Sequence, residues 1–315
     1  MKVLVTGGAG FVGSHVSDLL IDSGHNIVIV DDLSNGKKEN INPKATFYHV
    51  SILDNRMADI FKEEKIEAVI HHAAQISVRN SVKDPLKDME VNIRGSLLLL
   101  ELCVKYHTRK FIFASTGGAL YGEQDYFPAD ESHLTRPLSP YAITKLSVEK
   151  YLFFYHHTHY LPYISLRYAN VYGPRQDPLG EAGVVAIFTQ QMFRGKQPII
   201  NGEGTQTRDF VYVYDVARAN LSALEHEVLG EINIATGVET SVNQLFQELK
   251  KLTASPAAEH HGPPMPGEQL RSVLSFDKAK KVLGWEPSIL LSQGLKNTVR
   301  YFQKSQITTR SGGLF

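Results

Sequence analysis

The stretch TGGAGFVG, residues 6–13, determines the predicted fold. It follows the β-branched run KVLV and opens the helical pattern FVGSHVSDLLIDSG, so it predicts a strand, a tight turn and a helix. Gly7, Gly10 and Gly13 are spaced as GxxGxxG. Glycines at this spacing allow a tight turn, close approach of backbone amides to a pyrophosphate, and close packing of the helix on the strand. The stretch therefore predicts a dinucleotide-binding turn.

An acidic residue at the end of the second predicted strand supports this interpretation. Asp31 ends the run NIVIVD and lies 18 residues after Gly13. A carboxylate about 20 residues beyond the motif typically binds the adenosine ribose hydroxyls, and it repels a 2′-phosphate. NAD is therefore favoured over NADP, although Lys37 and Lys38 follow closely. The neighbours assigned to the cofactor with Asp31 are Asp32, Ser34, Asn35 and Gly36.

Strand patterns alternate with helical patterns through the first 170 residues. The strand-like runs are KVLVTG, NIVIVDD, ATFYHVS, EAVIHHA, KFIFAST and YISLRYAN. This alternation predicts an α/β fold of the Rossmann type, a doubly wound parallel sheet with helices on both faces. We assign residues 1–172 to this NAD-binding domain, and we expect DFVYVYDVARA, in a segment of about 209–233, to return to its sheet.

The pattern changes after about residue 173. Gly- and Pro-rich loops (GPRQDPLGEAG, NGEGTQTRD and HGPPMPGEQL) separate shorter elements there. Residues 173–208 and 234–305 are predicted to form a smaller C-terminal α/β substrate-binding domain. The last residues, 306–315, are predicted to be a flexible tail.

Composition excludes several classes of partner. Of 315 residues, 43% are hydrophobic and 21% charged, as in soluble globular proteins. Lys plus Arg and Asp plus Glu both number 33, whereas nucleic-acid and membrane-surface binders usually carry a basic excess. Cys103 has no partner for a disulfide, and the chain opens on a strand pattern, not a signal peptide. We therefore expect a cytoplasmic protein that binds neither nucleic acid nor membrane.

YAITK, residues 141–145, carries the predicted chemistry. Tyr141 and Lys145 lie one turn apart on one helical face. A tyrosine with a pKa of about 10 is a poor base at neutral pH. A lysine ammonium and an oxidised nicotinamide nearby would favour the phenolate, which could then take a proton from an alcohol as hydride leaves its carbon. Behind a dinucleotide motif and a hydroxyl-bearing strand end, STGGALYG, the pair predicts hydride chemistry at an alcohol.

These motifs resemble the extended short-chain dehydrogenase/reductase superfamily. The resemblance rests on TGGAGFVG, Asp31, HHAAQ, VNIRGS, STGGALYG, YAITK, RYANVYGPRQ and TRDFVYVYDVA, and it extends from residue 1 to about 303. The most similar branch is the UDP-galactose (UDP-glucose) 4-epimerases. The resemblance implies that a tightly held NAD takes hydride from C4 of a UDP-hexose and returns it to the opposite face of the 4-keto intermediate.

The resemblance also implies roles for individual residues. Tyr141, Lys145 and Thr116 are assigned to catalysis, and Arg208 to the diphosphate, which a guanidinium can bind through two hydrogen bonds. The cofactor-binding set is Gly7, Gly10, Phe11, Val12, Gly13, Ser51, Ile52, Ala73, Ala74, Gln75, Asn92, Ser115, Tyr141, Lys145 and Tyr168, with the Asp31 loop. The substrate-binding set is Thr116, Gly117, Tyr141, Asn170, Val184, Val185, Arg208, Glu268 and Arg271.

The strand end STGGALYG departs from the family pattern, which has three hydroxyl residues before Ala-x-x-Tyr-Gly. Aligned on Tyr121 and Gly122, the usual catalytic serine falls on Gly117. Thr116 is assigned in its place, and Ser115 is expected closer to the nicotinamide. The alternative is that Thr116 only forms a hydrogen bond within the loop.

Other departures concern the two ends of the substrate and the adenine. Ser51 stands where an acid usually contacts adenine. The diphosphate motif Arg-Pro-Gly-Asp appears as MPGE, so Met265 has no charge and Glu268 keeps the acid. Arg271 either replaces the missing cation or is an ordinary surface arginine. Ser272 stands where a bulky tyrosine blocks N-acetylated sugars in some members, so such sugars are expected to fit.

Three alternative functions share the fold. A 4,6-dehydratase needs an Asp-Glu pair after the strand-end threonine, whereas two glycines follow Thr116. A uronate epimerase or decarboxylase needs a cation near C6, whereas Asp177 would repel a uronate. A non-catalytic NAD-sensing protein could dispense with the Tyr–Lys pair, which is present.

Two further expectations concern assembly and metals. Residues 97–100 are all leucine, and KYLFFYHH from Lys150 is similarly apolar, which favours a homodimer. His156, His157 and His159 lack the cysteine or carboxylate that would complete a metal site, so no metal is predicted.

Overall fold

The computed structural model describes residues 1–178, 183–265 and 269–311. Strands and helices alternate along the first half of the chain, as predicted. The strands are β1 (Lys2–Thr6), β2 (Asn26–Asp31), β3 (Thr46–His49), β4 (Ala68–His71), β5 (Lys110–Thr116), β6 (Tyr163–Tyr168), β7 (Asn170–Tyr172), β8 (Ile200–Asn201), β9 (Thr207–Tyr212), β10 (Gly230–Ile234), β11 (Glu239–Ser241) and β12 (His261–Gly262).

The helices are α1 (Phe11–Asp22), α2 (Met57–Glu64), α3 (Val78–Lys83), α4 (Pro85–Met89), α5 (Gly95–Lys105), α6 (Gly117–Tyr121), α7 (Pro140–His159), α8 (Val184–Phe193), α9 (Val213–Glu225), α10 (Val242–Thr253), α11 (Asp277–Leu283) and α12 (Leu291–Ser311). The two longest helices are α7, which crosses between β5 and β6, and the C-terminal α12. A five-residue π-helical stretch, Glu90–Arg94, joins α4 to α5.

Seven parallel strands form the main sheet, in the order β10-β6-β5-β4-β1-β2-β3. Side chains alternate across each strand, so Val3 and Val5 pack on one face with α1 and α9, while Leu4 packs on the other with α5 and α7. Each fully buried aliphatic side chain contributes about 1.5–3 kcal/mol. The predicted Rossmann-type fold is confirmed.

A second core lies under the smaller sheets. β11, β9 and β7 form a three-stranded sheet, and β12 pairs with β8. Phe188 of α8, Phe246 of α10 and Leu295 of α12 are buried in this core. This arrangement fits the predicted small α/β domain, whose boundaries remain a proposal.

The returning segment differs from the prediction in one strand. β9 pairs with β7 and β11 in the small sheet, so residues 209–212 do not return to the main sheet. The return begins with α9, which packs on α1, and is completed by β10, which pairs with β6. The run DFVYVYDVARA is continuous in its apolar pattern, and periodicity alone does not show which sheet a strand joins.

The C-terminal part of the chain also differs. α11 packs on α9 and β10, and the Trp285 indole N–H donates to the Asp215 carbonyl oxygen (2.9 Å), so this stretch contacts the main domain. α12 continues to Ser311, six residues into the predicted tail, because extending a helix adds one hydrogen bond for each residue fixed. In the described part of the chain, no helix combines the length and apolar character needed to cross a membrane.

Candidate active site

The glycine turn after β1 lies at the carboxyl end of the main sheet. Gly7 has a φ of +68°, and its N–H donates to the Val30 carbonyl oxygen (2.8 Å). A Cβ on Gly7 would lie 2.7 Å from the Ala73 nitrogen, and one on Gly13 would collide with the Gly7 carbonyl oxygen. Only glycine fits these positions, so the turn approaches the loop after β4 closely and α1 packs closely on the turn. This geometry suits a bound dinucleotide, because the backbone is left bare where a pyrophosphate would approach.

Asp31 holds the loop after β2 over this turn. Its Oδ2 accepts from the Ala9 N–H (2.9 Å) and its Oδ1 from the Leu33 N–H (2.8 Å). Burial raises the pKa of the carboxyl, although both hydrogen bonds oppose the shift. A Cβ on Gly36 would lie 2.6 Å from Oδ1, so a glycine is needed beside it. Each carboxylate oxygen keeps a second lone pair, which suits the predicted contact with a ribose.

The remaining loop residues assigned to the adenosine end fall into two groups. Asp32, Ser34 and Asn35 are exposed, and Ser51 is partly exposed. Ile52 is buried, and a Cβ on Gly95 would lie 2.5 Å from its Cδ1, so the Ile52 side chain packs under α5. The side chain of Ile52 is therefore part of the core, and the assignment of Ile52 to the cofactor stays a prediction.

A buried polar network fixes the loop after β4. Asn92 accepts from the Gln75 N–H (2.8 Å) and donates to the Gln75 carbonyl oxygen (3.1 Å). Its amide also donates to Asp88 (3.1 Å), which is fully buried and accepts from the Gln75 side chain (2.7 Å) and from the Thr144 hydroxyl (2.8 Å). The network ties the Gln75 loop to α7 just before Lys145. Sequence reasoning found Asn92 and Gln75 but missed Asp88, whose i, i+4 spacing to Asn92 was the available signal.

Tyr141 and Lys145 lie on the first two turns of α7. The helix begins at Pro140 with Ser139 as its N-cap, whose hydroxyl accepts from the Ala142 N–H (3.2 Å). The Lys145 Nζ donates to the Ala114 carbonyl oxygen near the end of β5 (2.8 Å) and lies 6.0 Å from the centre of the Tyr141 ring. The structure therefore brings the predicted pair together at the carboxyl end of β5.

Burial shifts the pKa values of the two groups in opposite directions. Desolvation lowers the pKa of Lys145 to about 8, although Asp88 and Glu149 act to raise it. Desolvation raises the pKa of Tyr141, and the negative charge of Asp88 adds to the effect. Tyr141 is therefore protonated at neutral pH in the protein alone. The predicted phenolate needs more positive charge than Lys145 supplies, and an oxidised nicotinamide would provide it.

The end of β5 separates the two candidate hydroxyls. Ser115 is buried and its hydroxyl donates to Glu149 Oε1 (2.7 Å) in the interior. Thr116 is partly exposed and caps α6, where its Oγ1 accepts from the Ala119 N–H (3.4 Å). The hydroxyl proton of Thr116 remains available to donate. The Ser115 hydroxyl is therefore engaged by Glu149, its assignment to the cofactor stays a prediction, and Thr116 stays the candidate catalytic hydroxyl.

The two glycines after Thr116 have different surroundings. A Cβ on Gly117 would collide with Leu274 Cδ1, whereas one on Gly118 would lie 3.4 Å from Ser272 Oγ and 3.8 Å from Asn170 Oδ1. Gly117 is therefore packed under Leu274, and the predicted contact of Gly117 with substrate is limited to its backbone. Gly118, Asn170 and Ser272 lie together.

Asp209 holds the Ser272–Leu274 segment in place. Its carboxylate accepts from the Thr236 hydroxyl (2.6 Å) and from the backbone N–H groups of Thr236 (2.9 Å), Gly237 (2.9 Å) and Leu274 (3.4 Å). Burial raises the pKa of Asp209 to about 6. Sequence reasoning missed this residue, although it lies in the TRDF motif next to Arg208.

Other residues assigned to the substrate or the cofactor have side chains that pack into the protein core. The Tyr168 hydroxyl contacts Asn220 of α9 (2.8 Å) and His72 (3.2 Å), on the sheet face opposite to α7, because side chains alternate along β6. Val185 is buried in the core of the small domain and Val184 packs partly against it. The side chains of Tyr168 and Val185 thus make core contacts, and the assignment of these residues to the cofactor and the substrate stays a prediction.

The charged residues assigned to the UDP end of the substrate differ in their exposure and in their partners. Arg208 is partly buried on β9 and donates to the Thr207 carbonyl oxygen (2.8 Å). Arg271 is exposed, donates twice to Glu239 (2.8 and 3.1 Å) and lies 3.7 Å above the Phe127 ring. These contacts favour the surface interpretation of Arg271. Glu268 lies outside the described residues.

A metal site would need several ligating side chains in one place. Across residues 1–178, 183–265 and 269–311, no three or more His, Cys, Asp or Glu side chains are grouped so that they could hold a metal ion.

The model of the NAD dependent epimerase/dehydratase family matches residues 3–235. That match spans the glycine turn, Asp31 and the Tyr–Lys pair. The chain belongs to this family. The resemblance stated from the motifs and the predicted NAD dependence are both confirmed.

Named relatives match over almost the whole chain. A UDP-glucose 4-epimerase of Mycolicibacterium smegmatis is 41% identical over 313 residues, which cover 97% of this chain and all of the relative. A crystal structure of the Thermotoga maritima UDP-glucose 4-epimerase with UDP-glucose is 52% identical, with a TM-score of 0.95 and coverage of 97% and 100%. The UDP-glucose 4-epimerase of Thermus thermophilus in complex with NAD is 41% identical, with a TM-score of 0.91 and coverage of 96% and 99%.

Proposed function

We propose that this protein is an NAD-dependent UDP-hexose 4-epimerase. The observation that carries the proposal is the pairing of Tyr141 and Lys145 with a strand end that offers Thr116 and no acid. The named relatives are 4-epimerases, and both the glycine turn and Asp31 fit NAD.

The chemistry follows from the side chains at the end of β5. Bound NAD would supply a reversible hydride acceptor for C4 of the sugar. Tyr141 takes the proton of the 4-hydroxyl when its pKa is lowered by nearby positive charge, and it returns the proton after the ketone has turned over. Lys145, anchored on the Ala114 carbonyl oxygen, holds a positive charge beside the ring. Thr116 donates a hydrogen bond that orients the sugar oxygen.

The crowded position of Gly117 argues against a 4,6-dehydratase. Water elimination needs an acid after the strand-end threonine, and a side chain on Gly117 would overlap Leu274. A uronate enzyme is also disfavoured, because the arginine of the GPRQ segment, Arg175, pairs with Asp18 (2.8 Å).

We extend the proposal to N-acetylated UDP-hexoses. Ser272 is small and lies beside Gly118, so no bulky side chain fills this position. An acetamido group needs space beside the sugar ring that a tyrosine at residue 272 would take. Ser272→Tyr is therefore expected to lower turnover of UDP-GalNAc much more than that of UDP-galactose.

Product analysis tests the function directly. Purified protein is incubated separately with UDP-galactose, UDP-GalNAc and UDP-glucuronate, and the products are identified by chromatography or NMR. We expect 4-epimers from the first two without net oxidation, and none from the third. Bound NAD without conversion of any of the three would contradict the proposal and favour an NAD-sensing protein.

The exposed aromatic side chains of α7 support a homodimer as part of the proposal. Tyr151, Phe153 and Phe154 are 40%, 62% and 50% exposed. A cluster of exposed aromatic side chains is unusual on a surface that contacts only water, and it often marks a protein–protein interface. Light scattering should give twice the chain mass, and Phe153→Lys should shift the protein toward monomer. A monomeric wild type would contradict this part.

A cytoplasmic location is also proposed. Cys103 is buried, and burial raises its pKa to about 12, so the thiol is protected and needs no disulfide partner. Cell fractionation would test the location.

A further inference from the structure

Glu149 lies on the same face of α7 as the Tyr–Lys pair, and it has no role in the proposed mechanism. Tyr141, Lys145 and Glu149 follow one another at intervals of four residues, so they line one face of the helix. The Glu149 side chain is 1% exposed. A carboxylate buried this deeply is costly unless it is paired and hydrogen-bonded.

Four hydrogen bonds satisfy this carboxylate. Oε1 accepts from the hydroxyls of Ser115 (2.7 Å) and Ser165 (2.8 Å) and from Arg167 Nε (3.0 Å), while Oε2 accepts from Arg167 Nη2 (2.7 Å). Arg167 also donates to the hydroxyl of Tyr121 (3.0 Å), the last residue of α6, the helix that begins with Gly117 and Gly118. The network therefore joins α7, β5, β6 and the end of α6 in one buried unit.

The network holds the residue next to the candidate catalytic threonine. Lys145 binds the carbonyl oxygen of Ala114, and Glu149 binds the hydroxyl of Ser115, so α7 holds two successive residues of β5. Thr116 comes next, and successive Cα atoms are a fixed distance of about 3.8 Å apart. Whatever fixes Ser115 against α7 therefore also fixes Thr116 relative to Tyr141.

We propose that Ser115 is a positioning residue: its hydrogen bond to the Glu149–Arg167 ion pair sets the placement of Thr116 relative to Tyr141. Ser115 touches neither sugar nor cofactor through its hydroxyl. This inference rests on the proposed epimerase function, and it explains why a serine is found next to Thr116 although its hydroxyl faces the interior.

Ser165 provides a matched control. It donates to the same Glu149 oxygen over nearly the same distance and is equally buried, but it lies on β6 and not next to Thr116. Ser115→Ala and Ser165→Ala each remove one donor and leave Glu149 with three hydrogen bonds. A role in stability alone therefore predicts similar effects of the two substitutions.

The experiment measures kcat, KM for UDP-galactose, bound NAD and Tm for the wild type and both variants. We expect similar losses in Tm and unchanged bound NAD. In Ser115→Ala, kcat should fall about tenfold with KM within twofold, because a misplacement of up to about 1 Å can cost as much as 100-fold in rate. In Ser165→Ala, kcat should stay within about twofold of the wild type.

The outcomes separate this inference from the function on which it rests. Equal kcat values for the two variants, with an active wild type, would overturn the positioning role and leave the epimerase proposal standing. An increase in KM without a change in kcat in Ser115→Ala would also overturn it, since that result would mean direct binding. A wild type that converts no UDP-hexose would overturn both.

Discussion

In the half of the site beside β1 and β2, the contacts made by Asp31 and Gly13 join residues of consecutive elements. Asp31 holds Ala9, and Gly13 lies against Gly7. In the half beside the end of β5, the contacts join residues far apart in the chain. Gly118 lies beside Ser272, and the Val273 N–H donates to the Gln124 side chain (3.1 Å).

The difference shows how each half responds to substitution. In the half proposed to bind the nucleotide, glycines allow the backbone of the turn to pack closely, so substitutions there should act on NAD binding. The half proposed to bind the sugar is formed where the Ser272–Leu274 segment lies against the residues that follow β5, so changes there should act on rate and on substrate choice. Tyr141 lies between the halves, and its removal should have the largest effect.

Tyr141→Phe should lower kcat about 1,000-fold, within the range of 100- to 10,000-fold typical of general acid–base groups. The ring and its contact with Lys145 are retained, so bound NAD and Tm should match the wild type. Rates of UDP-galactose conversion, with NAD content measured on the same samples, check this. A variant within tenfold of the wild type would mean that another group moves the proton.

Gly13→Ala tests the nucleotide half. The added Cβ would collide with the Gly7 carbonyl oxygen, and overpacking of this kind typically costs about 1–3 kcal/mol. We expect NAD affinity to fall about ten- to 100-fold, measured by titration of NAD into the cofactor-free protein. Gly24→Ala is the control for a general loss of stability: Gly24 lies beyond the other end of α1 with a φ of +85°, so an alanine there strains the backbone, but no atom lies near its Cβ position. Equal affinities for the two variants would contradict the backbone account.

Thr116 tests the sugar half with three substitutions. Thr116→Ala removes both the hydroxyl and the cap of α6 and should lower kcat about tenfold, or ~1.4 kcal/mol. Thr116→Asn keeps a cap oxygen without the hydroxyl and should be as slow, whereas Thr116→Ser keeps both and should stay within about threefold. If Thr116→Asn were fully active, the threonine would act only as a cap, and the loop alternative would be correct.

The same contrast explains what could be predicted from the sequence. Three features could be predicted because they are local patterns: the strand–turn–helix around residues 6–13, Asp31 and the Tyr–Lys pair. The position of each depends only on the elements next to it in the chain. The fold class followed from them. The sheet joined by β9 could not be predicted in this way, because its apolar run fits either sheet and only tertiary pairing decides.

The buried networks were harder to predict for a related reason. The resemblance implies a place near the nicotinamide for Ser115, but its hydroxyl donates to Glu149, which is distant in sequence and paired with Arg167. Asp88 and Asp209 are buried carboxylates, and a sequence does not show which acids are buried with enough partners. The roles of Asp88 and Asp209 follow only from their contacts in the folded protein.

Arg271 and Arg208 give the smallest expected effect and the sharpest test of the UDP end. Arg271 is exposed and already paired with Glu239, and such surface pairs contribute only about 0–1 kcal/mol. Arg271→Ala should therefore raise KM for UDP-galactose no more than about threefold with kcat unchanged. Arg208→Ala, on the partly buried strand β9, should raise it at least tenfold if Arg208 binds the diphosphate, which steady-state kinetics on both variants would measure. A tenfold increase for Arg271→Ala would instead mean that Arg271 leaves Glu239 to supply the charge that Met265 lacks, and that the small domain rearranges around the bound substrate.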